Sequence, residues 1–159
     1  NLCSYAPLFA HTEGWQWTPD LIWFDNLKSF GSANYYVQKM FSNNKGTQVL
    51  SVLQGDKPLT GQNGLYASAA LDQKSNDIIL KLVNSTNKEQ TINVKLDGAK
   101  KLAGKGKLTT LKSNDIKVFN SIEQPALISP VEQELTVKGK TINQVLAPYS
   151  FSVIRIKQL

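Results

Sequence analysis

The feature that most constrains this chain is an alternation with period two. In Thr91-Ile92-Asn93-Val94-Lys95-Leu96 the apolar residues Ile92, Val94 and Leu96 take every second place, and Thr91, Asn93 and Lys95 fill the rest. Successive side chains point to opposite faces only along a strand, so this segment is a strand with one wet and one buried face. Residues 77–83, 107–111, 134–137, 141–146 and 149–156 also read as strands, and 65–70 as a weaker one. Turn chemistry separates them at Asn84-Ser85-Thr86-Asn87, Asp97-Gly98, Gly104-Lys105-Gly106, Ser113-Asn114-Asp115 and Lys138-Gly139-Lys140. Ala99-Lys100-Lys101, not a clean partner strand, follows Asp97-Gly98, so no tight hairpin is expected there. Pro148 fits the entry of the last strand. Short strands at this spacing predict a mainly β protein, an antiparallel, jelly-roll-like β-sandwich.

The first quarter is different. All three tryptophans (Trp15, Trp17, Trp23) and Phe9, Phe24, Phe30 and Phe41 lie before residue 45. The Lys-, Asn- and Thr-rich remainder is poor in rings. The shift falls at Asn43-Asn44-Lys45-Gly46, itself a helix-stop and turn signal. Before it, residues 2–9 read as a short buried strand and 10–19 as a loop. Leu21-Ile22-Trp23-Phe24 is a compact apolar stretch, and 32–41 reads as a helix. Tyr36, Val37, Met40 and Phe41 share one helix face, and Gly31-Ser32 supplies the N-cap region. Strand, loop and helix make one βα unit, which does not stand alone. The expected organisation is therefore a βα unit over residues 1–44 and the sandwich over 45–159. The chain opens on a strand-like segment without a leader, as the middle of a larger protein would.

Several functions are disfavoured. The 159 residues are 41% apolar, enough for a core, with no run long enough to span a bilayer. The net charge of +6 comes almost entirely from scattered lysines, Arg155 being the sole arginine. Nucleic-acid readers cluster Arg and aromatic residues on one face, so no nucleic-acid partner is expected, and no membrane partner. Cys3 is the single cysteine; it reads as a small buried strand residue, and no zinc spacing accompanies it. No metal or cofactor is expected. Asn84-Ser85-Thr86 formally matches a glycosylation acceptor.

Three ordered motifs carry a resemblance: Ser4-Tyr5-Ala6-Pro7-Leu8-Phe9, then Trp17-Thr18-Pro19-Asp20-Leu21-Ile22-Trp23-Phe24-Asp25-Asn26, then Asn34-Tyr35-Tyr36-Val37-Gln38-Lys39-Met40-Phe41-Ser42. Together they resemble the C-terminal end of the catalytic barrel in family 51 glycoside hydrolases, the α-L-arabinofuranosidases. Ala147-Pro148-Tyr149-Ser150-Phe151-Ser152-Val153 resembles the closing strand of the sandwich that follows it. The resemblance implies that residues 1–44 are the last βα unit of a (β/α)8 barrel. It also implies a retaining mechanism with two glutamates about 5 Å apart, both on earlier strands and so absent from this chain. The implied partners are arabinose-containing glycans, the rest of the barrel and further copies of the chain. Export to the periplasm or medium follows from the same analogy.

Barrel active sites lie at the C-terminal ends of the strands, so the segment from His11 to Asp20 would face the substrate. Trp17 and Trp15 either offer flat faces to sugar C–H groups or pack the loop. His11 is either a hydroxyl partner or an ordinary satisfied polar group. Among the carboxylates only Glu13, Asp20 and Asp25 sit among aromatics. Asp20 and Asp25 are expected to order the loop by accepting hydrogen bonds, since one strand and one helix cannot fix a catalytic pair. A different class, a non-catalytic carbohydrate-binding sandwich, requires an aromatic platform, and residues 45–159 offer only Tyr66, Phe119, Tyr149 and Phe151.

Overall fold

The computed structural model of the chain describes residues 4–159; Cys3 lies outside them. In order the chain forms β1 (Phe9–His11), β2 (Ile22–Phe24), β3 (Ser29–Gly31), α1 (Ala33–Asn43), β4 (Gln48–Leu50), β5 (Leu53–Gln54) and β6 (Lys57–Pro58). It continues through β7 (Leu65–Asp72), β8 (Asp77–Asn84), β9 (Gln90–Lys95), β10 (Leu102–Lys112), β11 (Val131–Thr136), β12 (Thr141–Leu146) and β13 (Ser150–Gln158).

The alternating half forms antiparallel sheets facing one another, as expected of a β-sandwich. The larger sheet has the order β11-β10-β13-β8-β7-β4, and β9 pairs with β12. These strands divide six and two, and β5 and β6 pair as a separate short hairpin. Leu96, Ile142 and Leu146 from the small layer close over Ile78, Leu80, Leu82, Leu108, Leu135, Ile154 and Ile156 from the large one. Each such side chain, fully buried, contributes roughly 1.5–3 kcal/mol of transfer free energy.

The other face of the large sheet is covered as well. Ile79, Leu111, Phe151 and Val153 meet Met40 of α1 and Ile128 of the loop after β10, with Tyr36 and Val37 packed around them. This two-sided cover explains a difference between strands. Ile78, Ile79 and Leu80 of β8 are all buried, although neighbours point to opposite faces. By contrast β9, covered on one face only, alternates between intermediate and exposed along its whole length.

The helix forms where expected. Ser32 is its N-cap, its Oγ accepting from the Tyr35 N–H at 3.2 Å. Its stop is Asn44, whose Nδ2 donates to the Met40 carbonyl at 2.8 Å. Gly46 then lies so close to Ala70 that a β-carbon there would overlap the alanine's own; only glycine lets the chain enter β4 alongside β7. The apolar helix face therefore finds cover within this chain. Tyr36, Val37 and Met40 pack on the large sheet, and the Phe41 ring stacks on Phe151 with centroids 4.9 Å apart.

Three expectations need correction. Gly104-Lys105-Gly106, read as a turn, lies inside β10, where the register shifts between Leu102 and Gly106. The first strand is Phe9–His11 and not residues 2–9; of those, residues 4–8 are irregular, and Pro7 has no N–H to give to a ladder. The compact apolar stretch at Leu21 is also a strand, β2, paired parallel to β1 and antiparallel to β3.

Two buried asparagines hold irregular chain. The Asn84 Nδ2 donates to the carbonyls of Lys88, Leu146 and Ala147, and its Oδ1 accepts from Thr86 and Gln90. Asn84 is fully buried, so the apparent glycosylation acceptor is a structural hub with no room for a glycan. Asn120 lies in the loop between β10 and β11. Its Nδ2 donates to the Gly31 carbonyl (2.8 Å) and the Ile128 carbonyl (2.9 Å), while its Oδ1 accepts from the Ile128 N–H (2.7 Å). That loop is thereby tied to the end of β3.

Candidate functional site

The candidate loop leaves β1 at His11 and returns to the start of β2 at Asp20. Its first turn is fixed by the backbone. Thr12 N–H donates to the Phe24 carbonyl (2.9 Å) and Gly14 N–H to the His11 carbonyl (3.2 Å). The Glu13 N–H donates to His11 Nδ1 at 3.2 Å. With Nδ1 accepting, Nε2–H is the donor that the ring has left to offer.

The β register then distributes the rings. His11 pairs with Phe24 and Ala10 with Trp23, so Phe24 and Trp23 point to opposite faces of the small sheet. On one face His11 and Phe9 both contact Phe24 edge-on, at 5.3 and 6.5 Å. On the other, Trp23 stacks against Phe30 (6.4 Å, 8° between planes), and Trp15 meets Trp23 edge-on at 6.1 Å. Trp23 is also held by its Nε1–H, which donates to the Asp20 carbonyl at 3.2 Å. The structure therefore places His11 and Trp15 on opposite faces of the sheet. Trp17 joins neither ring cluster. Trp15 and Trp17 remain 51% and 65% exposed, so both present free ring surface.

The three carboxylates differ sharply. Asp25 behaves as expected: its Oδ1 accepts from the Leu27 and Lys28 N–H groups at 2.7 and 2.6 Å, closing the turn between β2 and β3. Those two backbone donors hold its carboxyl below the ordinary aspartate value. Asp20 does not behave as expected. It is 1% exposed, and neither carboxylate oxygen has a hydrogen-bond partner among the described residues; only its backbone carbonyl is engaged. Glu13 is exposed. No two of these acids face a common cleft in a usable form. Among the described residues no cluster of three or more His, Cys, Asp or Glu residues is arranged to hold a metal ion, and no helix is long and apolar enough to cross a membrane.

A groove of about 530 Å³ lies elsewhere, between α1 and the large sheet, lined by Tyr36, Met40, Lys107, Glu132 and Arg155 among others. Three of its four charged residues, all but Lys39, are already in ion pairs. Arg155 donates to Asp77 at 2.8 Å and to Asp72 at 3.4 Å, and Lys107 pairs with Glu132 at 2.6 Å. Neither the Asn120 tie nor the orphaned Asp20 carboxylate was marked in the sequence. Asn120 stands in a stretch without periodicity, and Asp20 looks like any loop aspartate until its surroundings are known.

The fold and its ring-bearing loop define a class first: a mainly β domain, joined to a short strand–loop–helix unit, of the kind that solved arabinofuranosidases contain. The enzyme from Thermotoga petrophila shares the fold over 87% of this chain and 31% of its own, with a TM-score of 0.69 at 19% identity. Residues 1–150 match the α-L-arabinofuranosidase C-terminal domain, and the chain belongs to that family. An arabinose-bound GH51 α-L-arabinofuranosidase superposes with a TM-score of 0.87 at 29% identity, over 98% of this chain and 24% of that one. α-L-Arabinofuranosidase 1 of Arabidopsis thaliana is 30% identical over 96% of the chain, and α-L-arabinofuranosidase A of Aspergillus kawachii 32% over 97%. The chain spans 23% of the length of each of these two relatives.

Proposed function

We propose that this chain is the C-terminal part of a retaining α-L-arabinofuranosidase whose two catalytic carboxylates lie in the preceding polypeptide. Residues 1–44 then complete the catalytic barrel, and residues 45–159 form a sandwich that packs on it and stabilises it. The substrates are arabinose-containing polysaccharides or oligosaccharides. The observation that carries this reading is a match to arabinofuranosidases over 96–97% of this chain, whose own acids are unsuited to the chemistry. A retaining site needs two accessible carboxyl groups about 5 Å apart. Here Asp20 is buried and Asp25 is occupied by backbone amides. The parallel pairing of β1 with β2 supports a barrel fragment, since parallel strands belong to larger, covered sheets. Export of the enzyme is part of the reading; a relative from Streptomyces chartreusis, 48% identical over 41% of this chain and 8% of its own length, is named extracellular.

Hydrolysis of 4-nitrophenyl α-L-arabinofuranoside, measured for this chain and for the complete polypeptide side by side, tests the proposal. Turnover is expected from the complete polypeptide only. Turnover by the isolated chain would overturn it and direct mutagenesis to Glu13. A carbohydrate-binding sandwich gains no support, because the exposed rings Tyr66, Phe119 and Tyr149 form no stacked pair among the described residues. Saturable binding of arabinan to residues 45–159 would reverse that judgement.

A further inference from the structure

A neutral imidazole has one nitrogen that accepts and one that donates, and a partner that takes the first fixes the second. In His11 the Glu13 N–H donates to Nδ1 at 3.2 Å, and that is the ring's one hydrogen bond among the described residues. The proton is thereby left on Nε2. The Asp20 oxygens are the only side-chain polar atoms there that are both enclosed and unpartnered, so the Nε2–H of His11 is open to solvent. The ring is also braced, because Phe24 meets it edge-on at 5.3 Å and 90°. His11 therefore presents a single donor in a fixed direction.

Rings surround that donor. Phe9 and His11 lie on the same face of β1, and Phe24 stands opposite His11 in the register. Phe9 and Phe24 are 6.5 Å apart, and they are 58% and 37% exposed. Ala10, between Phe9 and His11, points to the other face and is buried. On that face Trp15, Trp23 and Phe30 gather, and the Trp23 N–H is already spent on the Asp20 carbonyl. One face of the small sheet is thus open and carries an unspent donor, and the other is filled. The place along the strands matters too. β1 and β2 run parallel, and His11 and Phe24 are their last residues. Parallel sheets bind their ligands outside the carboxyl ends of the strands.

We infer that His11, Phe24 and Phe9 form a sugar subsite, in which the His11 Nε2–H donates to a hydroxyl oxygen of an arabinose-containing glycan and the two phenyl rings meet the C–H face of the same sugar. A sugar ring carries both features that this surface lacks, an oxygen acceptor and an apolar face beside it. A protein segment laid over the same rings as plain cover would bury the Nε2–H without a partner unless it brought an acceptor of its own. Trp15, on the filled face, has no part in this subsite. The inference rests on the reading above that the complete polypeptide hydrolyses arabinofuranosides; it adds which face of the small sheet the substrate meets, and through which atom.

The test uses the complete polypeptide. His11→Phe keeps a ring against Phe24 and removes the donor, whereas His11→Gln keeps an N–H near the place of Nε2. With 4-nitrophenyl α-L-arabinofuranoside, His11→Phe is expected to lower kcat/KM about tenfold and to weaken inhibition by L-arabinose by a similar factor, the worth of one ordinary hydrogen bond. His11→Gln should recover most of both losses. The melting midpoint of either variant should stay within about 2 °C of the unsubstituted value. Unchanged kcat/KM and arabinose inhibition in His11→Phe overturn the inference, as does a loss that His11→Gln does not recover. If His11→Phe fails to fold, a crystal structure of the unsubstituted polypeptide with L-arabinose decides. A sugar oxygen about 3 Å from Nε2 supports the subsite; a protein group or water in that place overturns it. An unsubstituted polypeptide that cleaves no arabinofuranoside sinks the functional reading, and one that does so with His11→Phe indistinguishable from it sinks the subsite alone.

Discussion

The six-stranded and the three-stranded sheet of this molecule are built from similar apolar material but are finished to different degrees. The central strands β8 and β13 have both faces covered, one by β9 and β12, the other by α1 and Ile128. The small sheet of β1, β2 and β3 leaves Phe9, Phe24 and, at its turn, Leu27 open to solvent, and holds Asp20 without a partner. The first region closes on residues of this chain alone. The second leaves aromatic and apolar surface uncovered among the described residues. The difference is a matter of cover, not of hydrophobicity, because rings are denser in the open region than in the closed one.

The largest effect should come from breaking the closed region. Ile154 is fully buried at the middle of β13, paired with Leu80 on one side and Leu108 on the other. Replacing it by Ala is expected to cost about 3–4 kcal/mol, from lost transfer free energy plus a cavity that neighbouring strands cannot collapse. Urea unfolding of this chain measures it. A loss below about 1 kcal/mol would mean that the core is loosely packed and the contrast between the two sheets overstated.

How far this architecture was legible follows the same line. Residues 91–96 and 141–146 could be read because one face is wet and the other dry, so burial writes itself into the sequence with period two; the observed strands are Gln90–Lys95 and Thr141–Leu146. The α1 helix was legible from its single apolar face and its Ser32 cap. The first strand was misplaced because the aromatic and proline-rich opening carries no period, and β4, β5 and β6 are only two or three residues each, too short for one. For the site, the structure puts His11 at the end of β1 and Trp15 and Trp17 in the loop that follows. Their separation onto different faces depends on a register that no residue type announces. The emptiness around Asp20 is a tertiary fact with no local signature.

The joint between the regions offers the next largest effect. Asn120 makes three hydrogen bonds, two buried ones to Ile128 and a part-buried one to Gly31 at the end of β3. Asn120→Ala leaves the Gly31 carbonyl and both polar groups of Ile128 without partners, a loss of about 2–3 kcal/mol. Hydrogen exchange should show the protection of residues 29–33 falling further than that of β8 or β13. Uniform loss across all strands would mean that Asn120 supports the sandwich alone and does not link the two regions.

A smaller effect separates the regions by pH. Backbone donors lower the carboxyl of Asp25, and the Ser75 hydroxyl, followed by backbone amides and Arg155, lowers that of Asp72. A group whose folded pKa lies below its unfolded value stabilises fully above the unfolded value and loses that contribution as pH falls through the folded one. Stability should therefore decline as the pH drops below about 4. Asp25→Asn should weaken that decline and Asp72→Asn should weaken it independently, since they sit in different regions. Melting curves between pH 2 and 7, ranges set by the same reference values, check this. If Asp25→Asn leaves the acid limb of the profile unmoved, the turn between β2 and β3 is not coupled to global unfolding.

The smallest effect on stability is the most informative about function. Trp17 is 65% exposed and makes no ring pairing or hydrogen bond among the described residues. Trp17→Ala should therefore change the stability of this chain by no more than about 0.5 kcal/mol, as surface substitutions generally do. A large indole held open on a loop, at no gain to its own fold, is either covered by the preceding polypeptide or offered to a ligand. The complete polypeptide separates the two. If the ring meets sugar in the ground state and the transition state alike, Trp17→Ala raises KM for 4-nitrophenyl α-L-arabinofuranoside roughly tenfold with kcat unchanged, and the melting temperature stays put. If the ring is packing, the melting temperature falls and KM does not move. The first outcome places the open region at the substrate. The second makes its aromatic surface an internal joint.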